Sequence, residues 1–154
     1  MAEYAAFGTI LAFGNNETPS EEYTKLAQVK DISGPSITRD TIDVTNHGSP
    51  SGYSEFLASL KDGGEVTFDI EYDPADPTHD DTTGVMALID ENTPRNWRLI
   101  FPVAAVSGYH GLQFKALVTG FQPAAPVKGS LTSSITLKVA GAVAQGDYPV
   151  AGLC

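Results

Sequence analysis

The sequence predicts a β-rich α+β domain, two packed β-sheets with one or two short helices against an edge or end. Three observations predict it. Glu65 to Asp73 (EVTFDIEYD) alternates without a fault, with Val66, Phe68, Ile70 and Tyr72 on one side and Glu65, Thr67, Asp69, Glu71 and Asp73 on the other. Leu131 to Val139 repeats the pattern, with Leu131, Ser133, Ile135, Leu137 and Val139 facing one way and Thr132, Ser134, Thr136 and Lys138 the other. Between turn-rich segments, Tyr53, Phe56, Leu57 and Leu60 fall on a single helical stripe that Gly63 and Gly64 end.

Taken in order, residues 1 to 14 set Phe7, Ile10, Leu11 and Phe13 among small residues and reach the turn signal Gly14-Asn15-Asn16, an extended arm or first strand. A polar loop around Pro19 follows, and Tyr23 to Ile32 reads as a strand that Gly34-Pro35 breaks. Ile37 to Thr45 is rich in β-branched residues, Ile42 and Val44 opposing Arg39, Thr41 and Asp43, which predicts one buried and one wet face. Asn46 to Gly52 (NHGSPSG) is turn chemistry throughout. The stripe from Tyr53 to Leu60 predicts a helix capped at Ser51 or Gly52, with Glu55 in its first turn. A second helix is expected over His79 to Glu91, on Val85, Met86, Leu88 and Ile89. Asn96 to Phe101 is a strand that Pro102 ends; Val103 to Val106 pairs through Ser107-Gly108 with Leu112 to Phe121. Gln122 to Gly129 is a Pro-rich loop, and Ala140 to Cys154 is a tail of small residues.

With 154 residues, 42% of them hydrophobic, the chain is the size of one domain and too apolar for wholesale disorder. A formal net charge of −10 argues against a role that grips nucleic acid, though not against nucleic acid in passage, since affinity for phosphate comes mainly from Lys and Arg. Cys154 is the one cysteine, so an intramolecular disulfide and a thiolate metal site are both excluded, which suits synthesis in a reducing cytoplasm. The opening MAEYAAFGTILAFGNN lacks the basic flank of a secretory signal, and no apolar run is of membrane-spanning length.

Motifs that carry chemistry are missing. Lys128 stands without the glycine-rich cradle of a phosphate loop, and there is no HExxH or GxSxG. His47, His79 and His110 are isolated in polar sequence and read as exposed loop histidines. Asp73, Asp76, His79, Asp80 and Asp81 form the densest polar cluster, but the spacing is not that of a Ca²⁺ loop and suits a helix start. Glu65, Asp69 and Glu71 lie in one row along a strand rather than on two walls of a cleft, so a glycosidase pair is disfavoured. No enzyme and no cofactor are expected.

The run DISGPSITRDTIDVTNHGSPSGYSEFLASLKDGGEVTFDIEYDP, the later RNWRLIFP and FKALVTGFQPAAPVKGSLTSSITLKVAGA, and an opening Gly8-Thr9 strand resemble the tail tube (major tail) proteins of long-tailed, non-contractile bacteriophages. The resemblance runs from about Gly8 to Ala142. It implies a β-sandwich with a flanking helix, assembled as hexameric rings whose inner sheets join in a continuous β-barrel around a lumen through which the genome leaves. It also implies one tail-tube domain over 1–154, with an N-terminal arm about 1–13, an inter-strand loop about 46–52 and a C-terminal arm about 140–154.

On that reading Asp69 and Glu71, with Asp43 as a further candidate, face the lumen and repel DNA phosphates. Tyr53, Phe56, Leu57 and Leu60 pack their helix on the sandwich. Asn46, His47, Ser49 and Ser51 belong to the loop that stacks one ring on the next. The expected partners are further copies of the chain, the tape-measure, tail-tip and tail-terminator proteins, and DNA in transit, in a virion tail made in the host cytoplasm and with no membrane. Two alternatives are the tube protein of a contractile injection or secretion system, and a soluble β-sandwich carbohydrate-binding module presenting Tyr4, Tyr109 or Tyr148.

Overall fold

A computed structural model describes residues 3–15, 21–105 and 108–149. The strands run in the order β1 (Ile10–Gly14), β2 (Tyr23–Lys25), β3 (Val29–Ser33), β4 (Thr38–Asp43), β5 (Phe56–Asp62), β6 (Glu65–Glu71), β7 (Arg95–Ala105), β8 (Gly108–Ala124) and β9 (Thr132–Tyr148). One turn of helix, α1 (Val85–Leu88), precedes β7. Seven strands form one antiparallel sheet in the order β2-β1-β7-β8-β9-β6-β3, and β4 with β5 form a separate ribbon. The polar loop around Pro19, the turn at Ser107 and Cys154 lie outside the described residues.

The large sheet folds over on itself. Phe68 of β6 and Trp97 of β7 stand three strands apart, about 14 Å in a flat sheet, yet their ring centroids are 6.4 Å apart. Bulges allow the fold. The β8–β9 register shifts between Phe114 and Ala116 and again between Val118 and Gly120, and extra residues in one strand bend a pair and increase its twist. The first half of β9 therefore pairs with β6, while its second half pairs with β8 alone. The result is two facing layers made largely from one sheet.

The period-two expectation holds where the layers meet. Val66, Phe68 and Ile70 are buried, as are Ile135, Leu137 and Val139, and they pack with Leu11, Phe13, Trp97, Leu99 and Phe114 in one core. A smaller cluster lies on the other side of β1, where Ile10, Ala12 and Ile100 are covered by Tyr23 and Tyr148. The guanidinium of Arg98 stands 3.8 Å from the centre of the Tyr23 ring and 4.7 Å from that of Tyr148.

Several expectations are corrected. The stretch from Tyr53 to Leu60 is not a helix: Phe56–Asp62 is β5, paired antiparallel with β4 through Ile42 to Leu57 and Asp43 to Phe56. Helical spacing was present, but a backbone ladder to β4 satisfies the same N–H and C=O groups, and the side chains do not need one common face because they cover no core. Tyr53, Phe56, Leu57 and Leu60 are 75%, 57%, 57% and 81% exposed. The β4 face expected to be buried is open as well, with every residue of that strand exposed. The segment Tyr23 to Ile32 is two strands, which lie at opposite edges of the sheet, the chain turning at Gln28 with φ of 57°.

The second helix is one turn rather than four, because Asp76 and Asp80 cap successive turns of the loop before it. Pro102 does not end β7, since the register shift between Ile100 and Ala104 takes it out of the ladder. Ile10–Gly14, within the stretch read as an extended arm or first strand, is a buried strand, and residues 140 to 148 continue β9.

Candidate assembly interface

Three surfaces remain once the core is set. The first is the polar outer side of the half-sheet β3-β6-β9-β8. Here Thr67 lies opposite Thr136, Asp69 opposite Ser134, Glu71 opposite Thr132 and Glu65 opposite Lys138. The acids on it are not without partners, as their row in the sequence suggests. Ser134 Oγ donates to Asp69 Oδ1 at 2.7 Å, Glu71 forms an ion pair with Lys30 of β3, and Ser130 Oγ donates to Glu71 at 3.3 Å. The Lys30 bond first, then the Ser130 bond, hold the Glu71 carboxyl below its ordinary pKa. Lys138 is in turn 3.7 Å from Asp62. Asp43 is not part of this face; it sits on the ribbon and accepts the Thr45 N–H at 2.9 Å.

The second surface is the ribbon itself. It leaves the body where Gly34 (φ 104°) and Gly64 (φ 69°) bend both of its strands, in left-handed backbone that other residues rarely adopt. Phe56 and Leu57 are neighbours in a strand and point to opposite faces, and both are more than half exposed, as is Ile42 opposite Leu57. The tip is held by its own bonds. Gly48 N–H donates to Asn46 Oδ1 at 2.8 Å, Asn46 N–H to Ser49 Oγ at 3.0 Å, and Ser49 Oγ to Glu55 Oε2 at 3.1 Å. His47 and Ser51 are exposed beside them, Ser51 with φ of 57° in a single 3-10 turn over Pro50–Gly52.

The third is an open cleft of about 720 Å³ beside the free edge of β3, lined among others by Phe7, Leu11, Val29, Ile32, Leu99 and Phe101. Apolar side chains share it with Lys25, Lys30 and Asp31, and Phe7, which also lines it, is 96% exposed.

The residues weighed for catalysis have structural duties. His79 is fully buried rather than exposed. Its Nδ1 accepts the Asp73 N–H at 3.2 Å and its Nε2–H donates to the Ala27 carbonyl at 2.7 Å, so the ring ties the loop after β6 to the turn before β3. The acids around it are turn caps. Asp76 Oδ1 accepts from Thr78, and Asp80 Oδ1 accepts the N–H groups of Thr83 and Gly84, bonds that keep both carboxyls below the ordinary range. Among the described residues no three His, Cys, Asp or Glu gather as a metal would require. The sequence signal for His79 was its place inside a run of turn formers, where a ring that bonds two backbone groups can fold a loop; its burial depended on β3 and the turn before it.

No curated protein sequence matches the chain. Among solved structures, the tail of an empty gene transfer agent particle, refined with C6 symmetry, superposes with a TM-score of 0.66 at 18% identity, covering 88% of this chain and 95% of that one. The sheath/tube terminator of an extracellular contractile injection system gives 0.69 at 14% identity, with 95% and 98% covered. The SPP1 tail tube gives 0.62 at 10% identity, with 92% and 77% covered. These likenesses concern the fold. The model of the lambda phage tail tube protein family (TTP) matches residues 6–145, nearly the whole chain, and the chain therefore belongs to the lambda phage tail tube protein family and is a structural subunit of a tail tube.

Proposed function

We propose that the chain assembles into six-membered rings in which the half-sheets β3-β6-β9-β8 join edge to edge around a bore, and that the rings stack into the tube. The observation that carries this is a pair of unpaired strand edges on the two sides of one half-sheet. Among the described residues β3 pairs only with β6, and β8 beyond Ala116 has no partner opposite β9, because its pairing with β7 stops at Arg95. Exposed edges of this length invite another strand, and closure in a ring removes them. The cleft runs along the β3 edge, so the same junction covers the apolar Phe7, Val29 and Ile32.

The outer face of the half-sheet then lines the bore, with Asp69 and Glu71 on it and Asp43 outside it. Its carboxylates repel phosphate, and Lys30 and Lys138 on it are held by Glu71 and Asp62. DNA passes without a counterion-release gain that would retain it. The ribbon, with Asn46, His47, Ser49 and Ser51 at its tip, reaches the adjoining ring. Tape-measure, tail-tip and terminator proteins would meet the tube inside and at its ends, as parts of a virion tail. Among the described residues no helix is long and apolar enough to cross a membrane.

Electron microscopy of the purified chain, alone and with its tail-tip partners, tests the reading: stacked rings with a central channel are expected, and compact monomers under every condition would overturn it. In assembled particles, Asp69→Lys with Glu71→Lys should leave tubes intact while genome delivery fails; full infectivity would remove these carboxylates from the bore. A tube within a contractile system fits the same fold, given the similarity to an injection-system component, and a sheath gene beside this one would favour it.

A further inference from the structure

Arg39 and Lys61 are direct cross-strand partners at the base of the ribbon. Like charges opposite one another destabilise an antiparallel pair, and neither cation has a carboxylate within ion-pair distance among the described residues. Arg39 uses only its Nε–H, donated to the Ser59 carbonyl at 3.2 Å. Both side chains are exposed. A carboxylate from elsewhere would relieve the repulsion of such a pair.

The opposite end of the molecule supplies it. Lys61 lies just before β6, and β6 ends at Glu71, about 20 Å further on at the usual rise per strand residue. The loop that begins there, Asp73 to Glu91, holds six acids and no lysine or arginine. Its start is fixed at that end by His79 and Thr78, which bond Ala27 in the turn before β3. Among the described residues the hydrogen bonds to Asp73, Asp76 and Asp80 all end on Oδ1, and Asp81 is exposed.

We propose that Arg39 and Lys61 of one copy receive the carboxylates of the Asp73–Asp81 loop, Asp81 foremost, of a copy in the adjoining ring. The proposal rests on the tail tube reading. Arg39 and Lys61 share one face of the ribbon base, the adjoining Asp40 and Asp62 alternate to the other, and the acids of the loop lie at the far end of β6, so head-to-tail stacking brings this cationic pair onto carboxylates. The contact sets the direction of stacking, and the apolar ribbon beyond it then lies along the next ring.

Charge exchange tests this. Arg39→Glu with Lys61→Glu should raise the protein concentration needed for tube growth by about tenfold or more, with the melting temperature of the monomer kept. Asp81→Arg should do the same in part, and adding Asp81→Arg to Arg39→Glu should restore growth beyond either variant alone. Raised salt should shorten wild-type tubes and have less effect on the variants. Wild-type tubes beside a double variant that grows equally well, or swapped charges that give no rescue, would overturn this contact while leaving the tube reading intact. Absence of wild-type tubes would strike the tube reading itself.

Discussion

β5 and β6 are successive strands of seven residues, separated only by Gly63 and Gly64, and they meet opposite fates. In β6 the apolar side chains recur every second residue and vanish into the core, with Val66 and Ile70 at 0% exposure. In β5 they fall at 56, 57 and 60, two of them adjacent, and all three stay in solvent. One face of apolar residues is enough for a strand that covers its own sandwich. Apolar residues on both faces suit a ribbon that other molecules cover from two sides, and a two-stranded ribbon alone is only marginally stable. The difference shows that hydrophobicity in this chain serves two destinations, the subunit's core and the assembly.

Substitutions can break that contrast. The largest effect is expected in the core: Trp97→Ala or Phe68→Ala should cost about 3–5 kcal/mol in chemical unfolding of the monomer, and a loss below about 1 kcal/mol would show that the two layers are not closed on these rings. Next comes His79→Ala, which strips two backbone groups of a buried partner and should cost about 2–3 kcal/mol; faster hydrogen exchange at Asp73 would accompany it.

An acid titration should have a smaller effect, with a definite sign. Glu71, Asp76 and Asp80 have lowered pKa values in the folded chain, so their contribution is complete above the ordinary carboxylate range near pH 4 and is lost as pH falls through the folded values. The urea midpoint should be flat between about pH 7 and 5 and decline below about pH 4. Glu71→Gln should remove part of that decline, and an unchanged profile would mean its bonds to Lys30 and Ser130 do not persist in solution.

The smallest effect on the isolated chain is expected on the ribbon. Phe56→Asp and Leu60→Asp should change monomer stability by no more than about 0.5 kcal/mol and yet prevent tubes from forming. A large loss of monomer stability would place these side chains in a core after all and erase the distinction between β5 and β6.

Much of the body could be read in advance because period two on a half-buried sheet depends only on neighbours along the chain. Val66, Phe68, Ile70, Ile135, Leu137 and Val139 follow that rule. The ribbon could not be read in this way. Tyr53, Phe56, Leu57 and Leu60 match a helix by spacing, and nothing local reveals that β4 is available as a partner or that the side chains await another molecule. The candidate bore face was legible as a polar row, while the neutralisation of Glu71 by Lys30 requires β3 to pair with β6, a contact between residues about forty apart in the sequence.

By itself the sequence determined the β-rich class, the inward and outward sets of β6 and β9, the acidic balance, and the tail tube family through its motifs. The tertiary structure decided that one sheet would fold over to make both layers, that His79 would be an anchor, and that the Ile37 to Asp62 segment would leave the body as a ribbon. The reason is physical. Alternation and turn chemistry are written in adjacent residues, whereas sheet closure, ion pairing across strands and the exposure of an apolar segment depend on which distant strands find each other and on how much apolar surface the core can cover.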